Sequence, residues 1–139
     1  MPQKNERKSD NFCLRPGNLY VVAGHAGSGA LAIAERESGV TANGFSAVVL
    51  QEGDVKEWID NSPQFLDMSR RGSILIDARS VPHGYGYNVV KDAQSLAVET
   101  NSVVCLVVQM RRMATVDNPM LGVYEQFATG ILIVDKESS

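Results

Sequence analysis

Five short apolar runs constrain this chain more than any other feature: Leu19–Ala23, Ala47–Leu50, Ile74–Ile76, Val103–Val108 and Ile131–Val134. Each is only a few residues long and most are rich in Val and Ile, which favours buried strands over helices. The runs are continuously apolar rather than alternating, the pattern of strands covered on both faces of a parallel sheet. Between them lie segments able to form crossover helices. Ala30–Ser38 is rich in Ala, Leu and Glu, all good helix formers. Val89–Thr100 places Val89, Ala93, Leu96 and Ala97 on one stripe, with Lys91, Asp92 and Glu99 away from it. Met120–Ala128 is a shorter helical candidate, and Val55–Met68 holds helical turns interrupted at Pro63. Strands alternating with helices imply right-handed βαβ units and an α/β three-layer sandwich around a mainly parallel five-stranded sheet.

A length of 139 residues, with 44% hydrophobic and 21% charged side chains, suits one globular domain with one core. The polar segment 1–12 reads as a flexible N-terminal arm and residues 13–139 as the domain. A net charge of -3 argues against a strong, sequence-independent grip on nucleic acid. The short basic clusters, Arg70–Arg71, Arg111–Arg112 and Lys4/Arg7/Lys8, fit a solvated surface better than a binding stripe. Cys13 and Cys105 are too few for a disulfide framework and have no Cys or His at metal-ligand spacing. Cys105 lies inside an apolar run and reads as a buried, inert thiol. No run approaches membrane-spanning length, so a soluble cytoplasmic protein with no membrane partner is expected.

The first run leads into Gly24-His25-Ala26-Gly27-Ser28-Gly29, and a helix-forming segment follows at once. Glycines let such a loop curl so that backbone N–H groups converge, and the helix N-terminus adds its positive dipole end. Gly24 and Gly29 have the spacing of the phosphate-loop pattern G-x-x-x-x-G-K-[ST]. Ala30 stands where the pattern has its phosphate-contacting lysine, and Leu31 where it has its magnesium-binding hydroxyl. The glycine spacing does not fit the dinucleotide fingerprint G-x-G-x-x-G. His83-Gly84-Tyr85-Gly86-Tyr87 reads as a loop.

The lead-in Arg15-Pro16-Gly17-Asn18-Leu19-Tyr20-Val21-Val22-Ala23-Gly24 resembles the approach to the Walker A loop of RecA-like ATPases, closest to DnaB-type replicative helicases. Further segments are similar in the family's order. Val48–Glu52 resembles the second core strand, which puts Glu52 at the position that polarises the attacking water. Ser73–Asp77 resembles the Walker B strand, with Asp77 at the magnesium position. Leu96–Val104 resembles the helix and turn entering the fourth strand, which ends in Gln109 at the sensor position. Tyr124–Val134 resembles the closing strand segment. Together these cover about residues 15–137. The stretch from Glu52 to Asp77 is much shorter than in the helicases.

The resemblance implies a RecA-like sheet and a nucleotide site on Gly24, His25, Ala26, Gly27, Ser28 and Gly29, with ATP and Mg2+ held weakly or not at all. It further implies a side of the sheet facing nucleic acid, where Tyr85 and Tyr87 could stack on bases beside Arg111 and Arg112. Because Ala30 and Leu31 replace the catalytic lysine and hydroxyl, the expectation is a degenerate domain without ATPase activity. Such a domain would serve as an interaction or regulatory protein in DNA replication or recombination, bound to a RecA-like or helicase partner or to copies of itself. Two rival expectations stand beside it. One is a nucleotide-binding ATPase with a substitute cation from Arg111, Arg112 or Lys91. The other is a small single-stranded nucleic-acid-binding module.

Overall fold

The computed structural model describes residues 6–41, 47–49, 72–81, 86–115, 117–119 and 121–135. In chain order the elements are β1 (Glu6–Lys8), β2 (Leu19–Gly24), α1 (Ala30–Ser38), β3 (Ala47–Val49) and β4 (Ser73–Asp77). Then come α2 (Gly86–Thr100), β5 (Val103–Gln109), α3 (Gly122–Phe127) and β6 (Gly130–Val134). All six strands form one sheet in the order β1-β6-β2-β5-β4-β3. The five apolar runs supply its parallel strands, and β1 adds to β6 in the antiparallel sense. The fold is thus α/β with a mixed, mostly parallel sheet.

β1 lies within the segment expected to be an arm. Its residues Glu6, Arg7 and Lys8 pair with Val134, Ile133 and Leu132. No apolar pattern marks this strand, because ion pairs fasten it. Glu6 pairs with Arg36 of α1, and Lys8 Nζ lies 2.8 Å from Glu37 Oε1. Arg36 also bonds Glu37 at 2.9 Å. Burial pushes the Glu37 carboxyl up, but hydrogen bonds from Lys8 and Arg36 outweigh it and hold the group below its ordinary value.

Successive strand residues point to opposite faces, and the two core clusters divide along that alternation. Leu19, Val21, Ala23, Ile74, Ile76, Val104, Leu106 and Val108 face α2 and α3. Val22, Leu75, Cys105, Val107, Leu132 and Val134 face α1. The α2 stripe expected from spacing is buried: Val89, Ala93, Leu96 and Ala97 are each 2% exposed or less. Asn101, at φ 51°, ends α2; its N–H bonds the Val98 carbonyl at 3.3 Å and the Ser102 N–H bonds Ala97 at 3.2 Å. That is the Schellman pattern, with asparagine tolerating the left-handed position.

The chain runs from β2 through α1 toward the β3 edge, then returns through α2 to β5 and through α3 to β6. Direction and covered face reverse together, so these crossovers share one hand, as parallel βαβ units require. Adjacent strands β2 and β5 therefore send the chain to opposite faces. Their carboxyl ends flank a switch point, the place where open α/β sheets form ligand crevices.

Candidate functional site

β2 ends at Gly24, whose carbonyl accepts the Met110 N–H at 2.9 Å and so ties the loop to the end of β5. Gly24 is glycine for want of space. A Cβ there would overlap Ser28 Oγ and lie 2.9 Å from the Ala30 Cβ and 3.2 Å from the Val134 carbonyl. The next residues form a turn in which the Ser28 N–H bonds the His25 carbonyl at 3.0 Å, with Gly27 at φ +78°. A positive φ at the third position of a turn is the type II requirement that glycine meets without strain. Gly29, at φ 80° and ψ 22°, is the N-cap of α1, and no side chain caps the first turn. Ser28 Oγ is buried with no partner among the described residues.

Behind this loop Ala30 and Leu31 occupy packing positions. Ala30 is 3% exposed and belongs to the α1-side core, with Leu31 packed against it.

Asp77 closes β4, opposite Val107 of β5, and alternation from Leu75 puts it on the α1 face. It is 7% exposed, yet its charge is matched. Arg79 Nε donates to Oδ1 and Nη2 to Oδ2, both at 2.9 Å, and the Arg79 backbone N–H reaches Oδ1 at 3.2 Å. The hydrogen bond to Asp77 raises the Arg79 pKa above its ordinary value, against a smaller opposing effect of burial. Both carboxylate oxygens thus serve one guanidinium in the bidentate geometry that arginine favours. Arg79 was not among the residues singled out from sequence; the one available signal was an arginine two places after a strand-terminal aspartate.

A cleft of about 700 Å³ opens at the carboxyl ends of β2, β5 and β6. It brings His25 and Ala26 of the loop together with Gln109, at the end of β5, and with Arg111 and Arg112 just beyond it. Gln109 is the last residue of β5 and the register partner of Gly24. Asp135, just past β6, lines the same cleft, with its Oδ1 3.6 Å from His25 Nε2. A second cleft of about 340 Å³ shares Gln109, Met110 and Arg111 and continues to Tyr124. Burial raises the Tyr124 hydroxyl pKa, partly offset by the charge of Arg111. Asp77 lines neither cleft.

Tyr87 is placed differently from expectation. Gly86 and Tyr87 belong to α2 rather than to the preceding loop. The Tyr87 ring stands edge-on to Phe127 of α3, with centroids 5.6 Å apart, and Lys91 Nζ lies 6.0 Å from the Tyr87 ring. The helix thus begins at a glycine that local propensity would leave in a loop. The ring is nevertheless half exposed. Lys91, a candidate substitute cation, is engaged there rather than in the cleft. Glu52, His83 and Tyr85 lie outside the described residues.

Among the described residues no group of three or more His, Cys, Asp or Glu side chains is placed to hold a metal ion. No described helix is long and apolar enough to cross a membrane. No protein-family model matches the chain, and no curated protein matches it.

Proposed function

We propose that this chain is a RecA-like domain of three-layer architecture, related to the core of DnaB-type helicases, that has given up ATP hydrolysis. In this reading it acts as an interaction or regulatory protein in DNA replication or recombination. The observation that carries the proposal is the Asp77–Arg79 pair. A carboxylate at a magnesium position needs free oxygens facing the ion or its water shell. Here both oxygens are bonded to a guanidinium. Leu31 offers no hydroxyl, and Ala30 is committed to the core. The donor set therefore does not suit Mg2+, and the loop lacks the cation that steadies charge developing on a transferred phosphoryl group.

Topology supports the fold half of the reading. Numbered in chain order, the parallel strands run 5-1-4-3-2 across the sheet. That is neither the 3-2-1-4-5-6 of dinucleotide-binding domains nor the 2-1-3-4-5 of flavodoxin-like ones. The glycine loop, Asp77 and Gln109 each sit at the carboxyl end of a parallel strand, where the resemblance requires them.

Incubating the purified chain with ATP and Mg2+ tests the proposal directly. The expected result is no phosphate release above background and no gain in nucleotide affinity on adding Mg2+. Helicase-like turnover abolished by Asp77→Ala would overturn it. A second reading, nucleotide binding with a substitute cation, is favoured by one observation: Arg111 and Arg112 share a cleft with His25 and Ala26. Magnesium-independent ATP binding lost in Arg112→Ala is the outcome that would select it.

A further inference from the structure

Arg111 and Arg112 stand at the end of β5, both exposed, and neither makes an ion pair among the described residues. Elsewhere in this acidic chain, Arg7, Lys8, Arg36 and Arg79 each lie within 4.0 Å of a carboxylate. The Ala114 N–H bonds the Arg111 carbonyl at 2.9 Å, closing a turn that holds Arg112 and Met113 at its tip. Met113 is 80% exposed. Beneath the arginines the cleft has an apolar floor, because its lining residues Met110 and Ala114 are each 3% exposed. Among the described residues its one acidic lining residue, Asp135, lies beside His25.

We infer that this cleft docks an acidic segment of a partner protein, with an apolar side chain on the Met110–Ala114 floor and carboxylates on Arg111 and Arg112. The inference rests on the interaction-protein reading above and names the kind of partner it requires. Charge complementarity selects the occupant. Two arginines side by side can each take a carboxylate in bidentate fashion, and arginine is over-represented among residues that dominate interfaces. An exposed methionine beside them adapts its shape to an incoming apolar group. Single-stranded nucleic acid is the poorer fit. Among the described residues no aromatic side chain lines this cleft to stack a base.

Fluorescence anisotropy on the full chain tests this, with two labelled probes: a short peptide of Asp and Glu around a central pair of leucines, and an oligo(dT) of similar length. The expected result is peptide binding that weakens about tenfold or more in Arg111→Glu/Arg112→Glu. It should also weaken as salt rises from about 50 to about 300 mM, while oligo(dT) stays free. Circular dichroism confirms that the variant is folded, and Arg111→Gln/Arg112→Gln, expected to lose the same binding in part, replaces it if it is not. No peptide binding, binding indifferent to both variants, or tighter binding of oligo(dT) that the same variants abolish would each overturn the inference. ATP turnover measured on the same sample reports separately on the parent reading, because hydrolysis would sink that reading without touching the peptide result.

Discussion

Arg79 holds Asp77 through two parallel 2.9 Å hydrogen bonds, and the two partners differ sharply in their access to water. The Asp77 side chain is 9% exposed and that of Arg79 is 41% exposed. Removing either partner therefore has unequal consequences. Arg79→Ala strands a buried carboxylate and should cost about 1–3 kcal/mol, toward the lower end because solvent already screens the guanidinium. Asp77→Ala leaves an arginine that can turn to water, and it should cost less. Urea denaturation of the two variants gives the ordering, and equal losses would show that the pair does not stabilise Asp77 in this way.

The loop glycines separate two reasons for being glycine. At Gly24 a methyl group would meet Ser28, Ala30 and the Val134 carbonyl. Gly24→Ala should destabilise by about 1–3 kcal/mol through overpacking. Gly29→Ala has open space but a φ of +80°. It should cost about 1 kcal/mol through backbone strain alone. Removing the Ser28 side chain should recover part of the Gly24→Ala loss and none of the Gly29→Ala loss, as thermal melts of the double variants will show.

Acid should loosen the strap formed by β1. Glu37 is held below its ordinary value, so between that value and the folded-state value the unfolded chain binds more protons. Its contribution is fully present above the ordinary carboxylate range and is lost as pH falls through the depressed value. The gap in melting temperature between the native chain and Glu37→Gln should be clear at neutral pH and close in strong acid. High salt at neutral pH should narrow it as well, since Arg36 and Lys8 are about half exposed.

The two thiols should react very differently. Cys13 is exposed, whereas burial pushes the Cys105 thiol up to about 12. A thiol-labelling reagent at neutral pH should modify one cysteine quickly and the second only on unfolding. Rapid labelling of both would mean that the sheet opens at β5.

The parts of this fold legible in the sequence are those carried by hydrophobic pattern. Ala30–Ser38 is α1 to the residue, and each parallel strand contains its apolar run or, at β3, the described part of it. β1 was invisible because Glu6-Arg7-Lys8 has no apolar periodicity and owes its place to partners about thirty residues away in α1. The start of α2 is not legible because the glycine at its first position reads as loop by local propensity. At the candidate site, the residue types at the strand ends could be read from order and spacing. That Arg79 turns back onto Asp77, and that Asp135 meets His25, depends on side-chain direction and long-range closure, neither of which has a sequence period.

β1 has a further consequence for how this protein behaves in a crowd. A parallel sheet ending at β6 would offer Leu132, Ile133 and Val134 as an open, apolar template for a neighbour's backbone. The chain covers that template with a strand three residues long, every one of them charged. An incoming strand would find too few hydrogen-bonding positions and two cations on the outermost rung. The N-terminal segment thus works as a stopper against growth of the sheet, and clipping it should be felt first as lost solubility.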